Sequence, residues 1–271
     1  MQIKGLKILV TGGSSGIGKA TALAAIQKGA EVLITGRDAV KLHKVANEIG
    51  AKAVVCDVAN INEIDDLFDW IEQNWKGLDV LVNNAGIGDT WDSLTDIKMD
   101  DMYKVYAVNV FGATYVAQKA AKIFKNQKSG DIFNIASTAA SKGFANGSVY
   151  ASSKFALKGL TQCWQAELRP FNIRVVLVNP SEVTTAFAQN NRAERPEVAN
   201  KLRGTEIAHA VPLTLVAGIG HASMGNLDLG LLGQLLMGSL PGIYMGSMLS
   251  GKVPDQLLRN AIAVMLFLAG Y

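Results

Sequence analysis

Leu6-Lys7-Ile8-Leu9-Val10 followed by Thr11-Gly12-Gly13-Ser14-Ser15-Gly16-Ile17-Gly18 is the stretch that decides the fold. A short apolar run stops at a glycine-rich turn, and from Ile17 to Lys28 apolar residues recur at helical spacing. A strand that turns through glycines into a helix is the setting in which such a string carries meaning. Gly12, Gly16 and Gly18 permit a tight turn and a close backbone approach to a diphosphate at the helix N-terminus, and Ser14, Ser15 and Ile17 belong to the same loop.

The alternation continues outward. Strands are predicted at Lys7–Thr11, Glu31–Gly36, Ala51–Asp57, Leu78–Asn83, Gly130–Ala136 and Arg174–Asn179. Between them Ile17–Lys28, Arg37–Ile49, Ile61–Trp75, Met99–Lys125 and Tyr150–Arg169 can each lay an apolar stripe on a sheet. The pattern predicts an α/β fold, a doubly wound parallel sheet of the Rossmann type. Asn190–Glu197 is polar, contains Pro196 and reads as a mobile loop.

Ligands of such sheets bind beyond the carboxyl ends of the strands. After the second strand, Gly36 stands where an acidic side chain would grip an adenosine ribose, and Arg37 follows. A missing carboxylate removes repulsion and a guanidinium favours a 2′-phosphate, which predicts NADP(H) in preference to NAD(H). The bland reading of Arg37 is a surface helix residue. After the third strand Asp57-Val58 suits the edge of an adenine, and after the fourth the small residues of Asn83-Asn84-Ala85-Gly86 admit the adenosine half of the cofactor.

Tyr150 and Lys154 stand four apart in a predicted helix and therefore share a face, so an ammonium would lie beside a phenol and lower its pKa. Alone this spacing arises readily on solvated helices. Ser137, just past the fifth strand, supplies a hydroxyl or merely caps a turn; Asn109 supports the site or satisfies backbone groups in a buried helix.

Composition limits the alternatives. The 271 residues can bury a sizeable core, and a net charge of +3 with interleaved signs leaves no basic stripe for nucleic acid. The partner expected is a small molecule. Cys56 and Cys163 lie in apolar surroundings without ligand-like spacing and read as buried thiols of a reducing cytoplasm, with no metal site. Met1–Gly5 leaves no room for a signal peptide ahead of the first strand. Asp38, Asp89 and Asp92 read as loop and cap residues, and His43, His209 and His221 have no evident catalytic partner.

Taken together, TGGSSGIG at 11–18, NNAG at 83–86, Asn109, Ser137, the Tyr150–Lys154 pair and Asn179-Pro180 resemble the short-chain dehydrogenase/reductase family over about residues 1–210. The resemblance implies that Tyr150 protonates a substrate carbonyl oxygen, Ser137 hydrogen-bonds that oxygen, and Lys154 holds the nicotinamide ribose while depressing the tyrosine pKa. It further implies that Asn109 supports a water linking Lys154 to solvent. A hydride then arrives while the developing alkoxide meets an acid and a donor. After the sixth strand Pro180 is followed by Ser181-Glu182-Val183-Thr184-Thr185 instead of the family's commoner proline-glycine. Thr184 still falls where a hydroxyl would meet the nicotinamide carboxamide or diphosphate, with Pro180 and Val183 as cofactor-binding neighbours in the same segment. This variant resembles bacterial carbonyl and 3-oxoacyl-thioester reductases.

Beyond about His209 the composition changes. From Val211 to Tyr271 the charged residues are Asp228, Lys252, Asp255 and Arg259. The family's usual last strand, which helps to build a homo-oligomer, is not evident. Leu229–Leu249 is uncharged and long enough to span a bilayer, with Gly238, Gly242 and Gly246 in a small-xxx-small ladder. Val211–Asn226 and Asn260–Tyr271 are shorter, and Lys252 and Arg259 favour a cytoplasmic loop. The tail resembles the C-terminal part of the sulfite-exporter-like (TauE/SafE type) permeases. The expectation is a cytoplasmic reductase domain, 1–210, joined to a helical, membrane-contacting permease fragment, 211–271, by natural fusion or by an error of sequence assembly. A hydrophobic lid is the alternative.

Overall fold

A computed structural model describes residues 3–88, 91–181, 183–184, 187, 202–205 and 207. The chain divides into two units, Met1–Gly218 and Ile219–Tyr271, and every described residue belongs to the first. The predicted span 229–249, the flanking apolar segments and the loop at 190–197 lie outside the described residues. Among the described residues no helix is long and apolar enough to cross a membrane.

The strands are β1 (Lys7–Val10), β2 (Glu31–Gly36), β3 (Lys52–Val55), β4 (Val80–Asn83), β5 (Gly130–Ile135) and β6 (Ile173–Val178). All six pair in parallel in the order β3-β2-β1-β4-β5-β6. The helices are α1 (Gly16–Gln27), α2 (Ala39–Ile49), α3 (Ile61–Trp75), α4 (Met99–Tyr106), α5 (Ala113–Gln127) and α6 (Ser148–Leu168). A separate short parallel pair joins β7 (Val183–Thr184) to β8 (Leu202–Arg203), which the sequence pattern does not announce.

Alternate strand residues divide the core into two layers, as a period of two requires. Ile8, Val10, Val32, Ile34, Val80 and Val82 pack with Ala22 and Ala25 of α1 and Leu42, Val45 and Ile49 of α2. Leu9, Leu33, Leu81 and Ile132 face the other way, onto Ile64, Leu67 and Ile71 of α3 and Val116, Ala120 and Phe124 of α5. Apolar residues on both faces explain why the strands read as continuous hydrophobic runs. The order of the strands reverses between β1 and β4, and the loops leaving their carboxyl ends form a crevice there.

The helix predicted as one piece over Met99–Lys125 is interrupted. A π-helical turn, Ala107–Gly112, separates α4 from α5. The amide of Asn109 is held by the backbone of Ile87 through two hydrogen bonds of 2.8 Å, and a Cβ on Gly112 would collide with the carbonyl of Val58. These long-range anchors set the wider turn, which local periodicity does not contain. Cys56 is buried, but Cys163 is exposed, contrary to expectation, because it falls on the outward face of α6 beside Gln162 and Ala166.

Candidate active site

The loop after β1 is built for close packing. Gly12 has φ +64°, and a Cβ there would lie 3.0 Å from Ala85 Cα; on Gly18 it would lie 2.6 Å from Asn84 Nδ2. The first and last of the three predicted glycines thus serve contacts within the protein. Thr11 Oγ1 accepts from the backbone N–H groups of Asn84 and Ala85, at 2.9 and 3.0 Å, which stitches the two loops of the crevice together. Gly16, with φ +53°, lets the chain enter α1. The helix N-terminus has no acidic residue in its first turn and no side-chain cap from Ser15, so its free N–H groups remain an anion-binding end.

A cavity of about 870 Å³ runs along the carboxyl edge of the sheet. That lies within the range of cofactor and small-ligand sites. Gly12, Ser14, Ser15, Gly16 and Ile17 form one end with Gly36, Arg37, Asp57 and Val58. Ala85, Gly86, Ser137, Tyr150, Lys154, Pro180 and Val183 line the rest. Gly18, Asn83 and Asn109 do not line it, and the Thr184 side chain lies outside the described residues.

Asn83 instead joins a buried polar chain: its Nδ2 donates to the Ala113 carbonyl at 2.8 Å and to Asn134 Oδ1 at 3.3 Å, and Asn134 Nδ2 donates to Thr161 Oγ1 at 2.8 Å. Side-chain amides inside the sheet must be paired, and this network locks β4 and β5 to α5 and α6. Asn84, one residue on, is the cavity residue, its Nδ2 bonded to the Thr11 and Gly12 carbonyls at 2.9 and 3.2 Å. Asn109 is wholly buried; besides its bonds to Ile87 it donates to Ser153 Oγ at 3.0 Å. It clamps the loop after β4 to α6 and reaches Lys154 through no hydrogen bond of its own among these.

Arg37 Nη1 stands 3.9 Å from Asp57 Oδ2. Asp57 also holds its own turn, Oδ1 accepting from Ala59 N at 3.0 Å, while Asp57 N donates to Glu63 Oε2 at 2.7 Å. Asp38, as expected, caps α2 by accepting from Lys41 N at 3.0 Å. Burial, with help from the Glu63 and Asp57 carboxylates, pushes the Cys56 thiol up to about 12, so this cavity-lining sulfur stays protonated and inert.

Tyr150 and Lys154 are both buried on one face of α6, as their spacing requires. Their electrostatics differ from the expectation. Burial raises the phenol above its ordinary value, and a hydrogen bond from Ser137 opposes this only in part. Burial brings Lys154 down to about 8. Its Nζ donates to the Ile135 carbonyl at 3.1 Å and lies 5.8 Å from the centre of the Tyr150 ring. The ammonium is therefore engaged by the end of β5, and desolvation governs the phenol. Ser137 Oγ also accepts from Ala139 N at 3.1 Å, so it caps the 3₁₀ turn Thr138–Ala140 as well as meeting Tyr150.

The chain matches the family model for the short chain dehydrogenases over residues 6–196. It matches the model for sulfite exporter TauE/SafE over residues 198–271. An uncharacterized oxidoreductase of Staphylococcus aureus (strain USA300) is 34% identical over 206 residues, covering 75% of this chain and 87% of the relative. An NADP-dependent 3-hydroxy acid dehydrogenase of Schizosaccharomyces pombe is 32% identical over 195 residues, 69% of this chain and 75% of that protein. A solved structure of 3-ketoacyl-(acyl-carrier-protein) reductase from Brucella melitensis, complexed with NADH, superposes with a TM-score of 0.72 at 28% identity, covering 78% of this chain and 91% of that one.

Proposed function

The chain belongs to the short chain dehydrogenase family and is an NAD(P)-dependent oxidoreductase, and from that premise we propose that it reduces a small-molecule carbonyl to a secondary alcohol with NADPH. The observation that carries this reading is the convergence of Ser137, Tyr150 and Lys154 on one cavity whose other end holds the α1 N-terminus and Arg37. The cofactor, when bound, supplies the hydride. Gly12, Ser14, Ser15, Gly16 and Ile17 would hold its diphosphate, Asp57 and Val58 its adenine, and Ala85 and Gly86 the adenosine side. Pro180, Val183 and Thr184 would meet its nicotinamide end. Tyr150 delivers its phenolic proton to the substrate oxygen, Ser137 Oγ hydrogen-bonds that oxygen, and Lys154 holds the nicotinamide ribose. The substrate carbon gains the hydride and the oxygen gains the proton, so C=O becomes CH–OH. The likeness to 3-ketoacyl and 3-hydroxy acid enzymes makes a 3-oxoacyl thioester one candidate substrate.

NADPH preference rests on Arg37. Its contact with Asp57 is long and half-exposed, and such pairs contribute little, so a 2′-phosphate can take the guanidinium at small cost. Following the oxidation of NADPH and NADH with a panel of ketones and 3-oxoacyl thioesters tests the reading. Arg37→Ala is expected to cut the NADPH-over-NADH ratio of kcat/KM by about tenfold or more, the scale of a charge-assisted hydrogen bond. An unchanged ratio removes Arg37 from the cofactor site.

The TauE/SafE match of residues 198–271 favours a second reading of the tail, as a membrane attachment for the reductase. Fractionation of the full-length protein beside a chain ending at residue 210 decides this. The full chain is expected to pellet with membranes and resist alkaline extraction. Recovery of a monodisperse full-length protein from the soluble fraction defeats the attachment.

A further inference from the structure

We propose that Trp91, Phe144 and Phe187 form an aromatic clamp around Tyr150 that selects ketones carrying a flat, apolar ring next to the carbonyl. This inference rests on the carbonyl-reductase reading above and names the substrate class. All four side chains line the cavity. The Trp91 ring stands 5.6 Å from that of Tyr150 and 5.9 Å from that of Phe144, and the Phe187 ring 5.5 Å from Tyr150 on centroids. The rings are tilted by 59°, 34° and 54° respectively, within the favourable range of offset and edge-on pairs.

Two features show that the clamp is built and not accidental. Gly88 and Gly147 have no positive φ to demand glycine. Each instead seats a ring: a Cβ on Gly88 would lie 2.8 Å from Phe187 Cζ and 2.9 Å from Tyr150 Cδ2, and one on Gly147 would lie 2.7 Å from Phe144 Cδ2. The second feature is exposure. Trp91 and Phe144 remain 41% and 50% exposed although they line a concave site beside the reacting phenol. Large aromatic surface left wet at a cavity wall is unspent binding energy, and a ligand ring laid against their exposed faces recovers it. An aryl group offers enough flat area to cover the exposed parts of Trp91 and Phe144, whereas a short alkyl group leaves most of that surface in water.

Acetophenone and butanone, assayed with the full-length chain and NADPH, test the clamp. Acetophenone is expected to show a kcat/KM at least about tenfold higher, the scale of one added aromatic contact with its buried area. Trp91→Ala and Phe144→Ala are expected to lower the acetophenone-to-butanone ratio about tenfold, chiefly through KM, and Trp91→Phe to keep most of it. A wild-type ratio near one, or variants that leave the ratio unchanged, overturns the clamp while sparing the reductase. If no ketone is reduced, the reductase reading fails instead. Saturation-transfer NMR of 1-phenylethanol then decides the clamp alone: ring-proton signal lost in Trp91→Ala upholds it, and no signal with wild type overturns it.

Discussion

Tyr150→Phe is expected to lower kcat/KM for ketone reduction by about 10³, within the range set by loss of a positioned general acid. The substitution removes one oxygen from a side chain whose ring is buried against Ala139, Ala151 and Phe187, so the packing survives. The thermal midpoint should move by no more than a few degrees, about what loss of one hydrogen bond costs. Reduction by wild type should be nearly independent of pH between about 6 and 8, because burial raises the phenol and keeps its proton in place while Lys154 still holds its own. Alcohol oxidation needs the phenolate as base and should climb with pH over the same interval. Retention of full activity by Tyr150→Phe removes this residue as the acid.

Lys154→Met is expected to abolish turnover yet stabilise the fold at neutral pH. In the folded chain Lys154 titrates near 8, against 10.5 as its ordinary value. Below about pH 8 both folded and unfolded chains hold the proton, and the folded state bears the whole cost of a buried ammonium. Between about 8 and 10.5 the folded chain has released the proton and the unfolded chain has not, so wild-type stability rises with pH. Above 10.5 both are neutral and the cost is gone. The shift corresponds to a burden on the order of 3 kcal/mol. Loss of the bond to the Ile135 carbonyl offsets roughly 1 kcal/mol of the gain. Denaturant midpoints at about pH 7 should favour Lys154→Met, and the gap should close by about pH 10.5. A variant less stable than wild type at pH 7 would show that the lysine is not strained by its burial.

Much of this was legible along the chain because it is local. Strand, glycine turn and helix follow one another within Lys7–Gln27, and a strand buried on both faces announces itself by its β-branched run. Spacing by four placed Tyr150 and Lys154 on one face. The misreadings concern pairs distant in sequence. Asn83 and Asn84 are indistinguishable in NNAG, yet Asn83 turns to Asn134, 51 residues on, and Asn84 turns to Thr11, 73 residues back. The π-helical turn depends on Ile87 and Val58, and the aromatic walls on Trp91, Phe144 and Phe187, which no spacing rule gathers.

The sequence by itself determined the parallel doubly wound sheet, the glycine loop and the shared helix face of Tyr150 and Lys154, since periodicity and turn chemistry act over a few residues. Only the tertiary structure decided which asparagine faces the cavity, where the ammonium of Lys154 is held, and that burial raises the Tyr150 phenol. Those outcomes depend on desolvation and on hydrogen bonds between distant segments. They come into being when β1, β4 and α6 close on one another, and no local pattern encodes them.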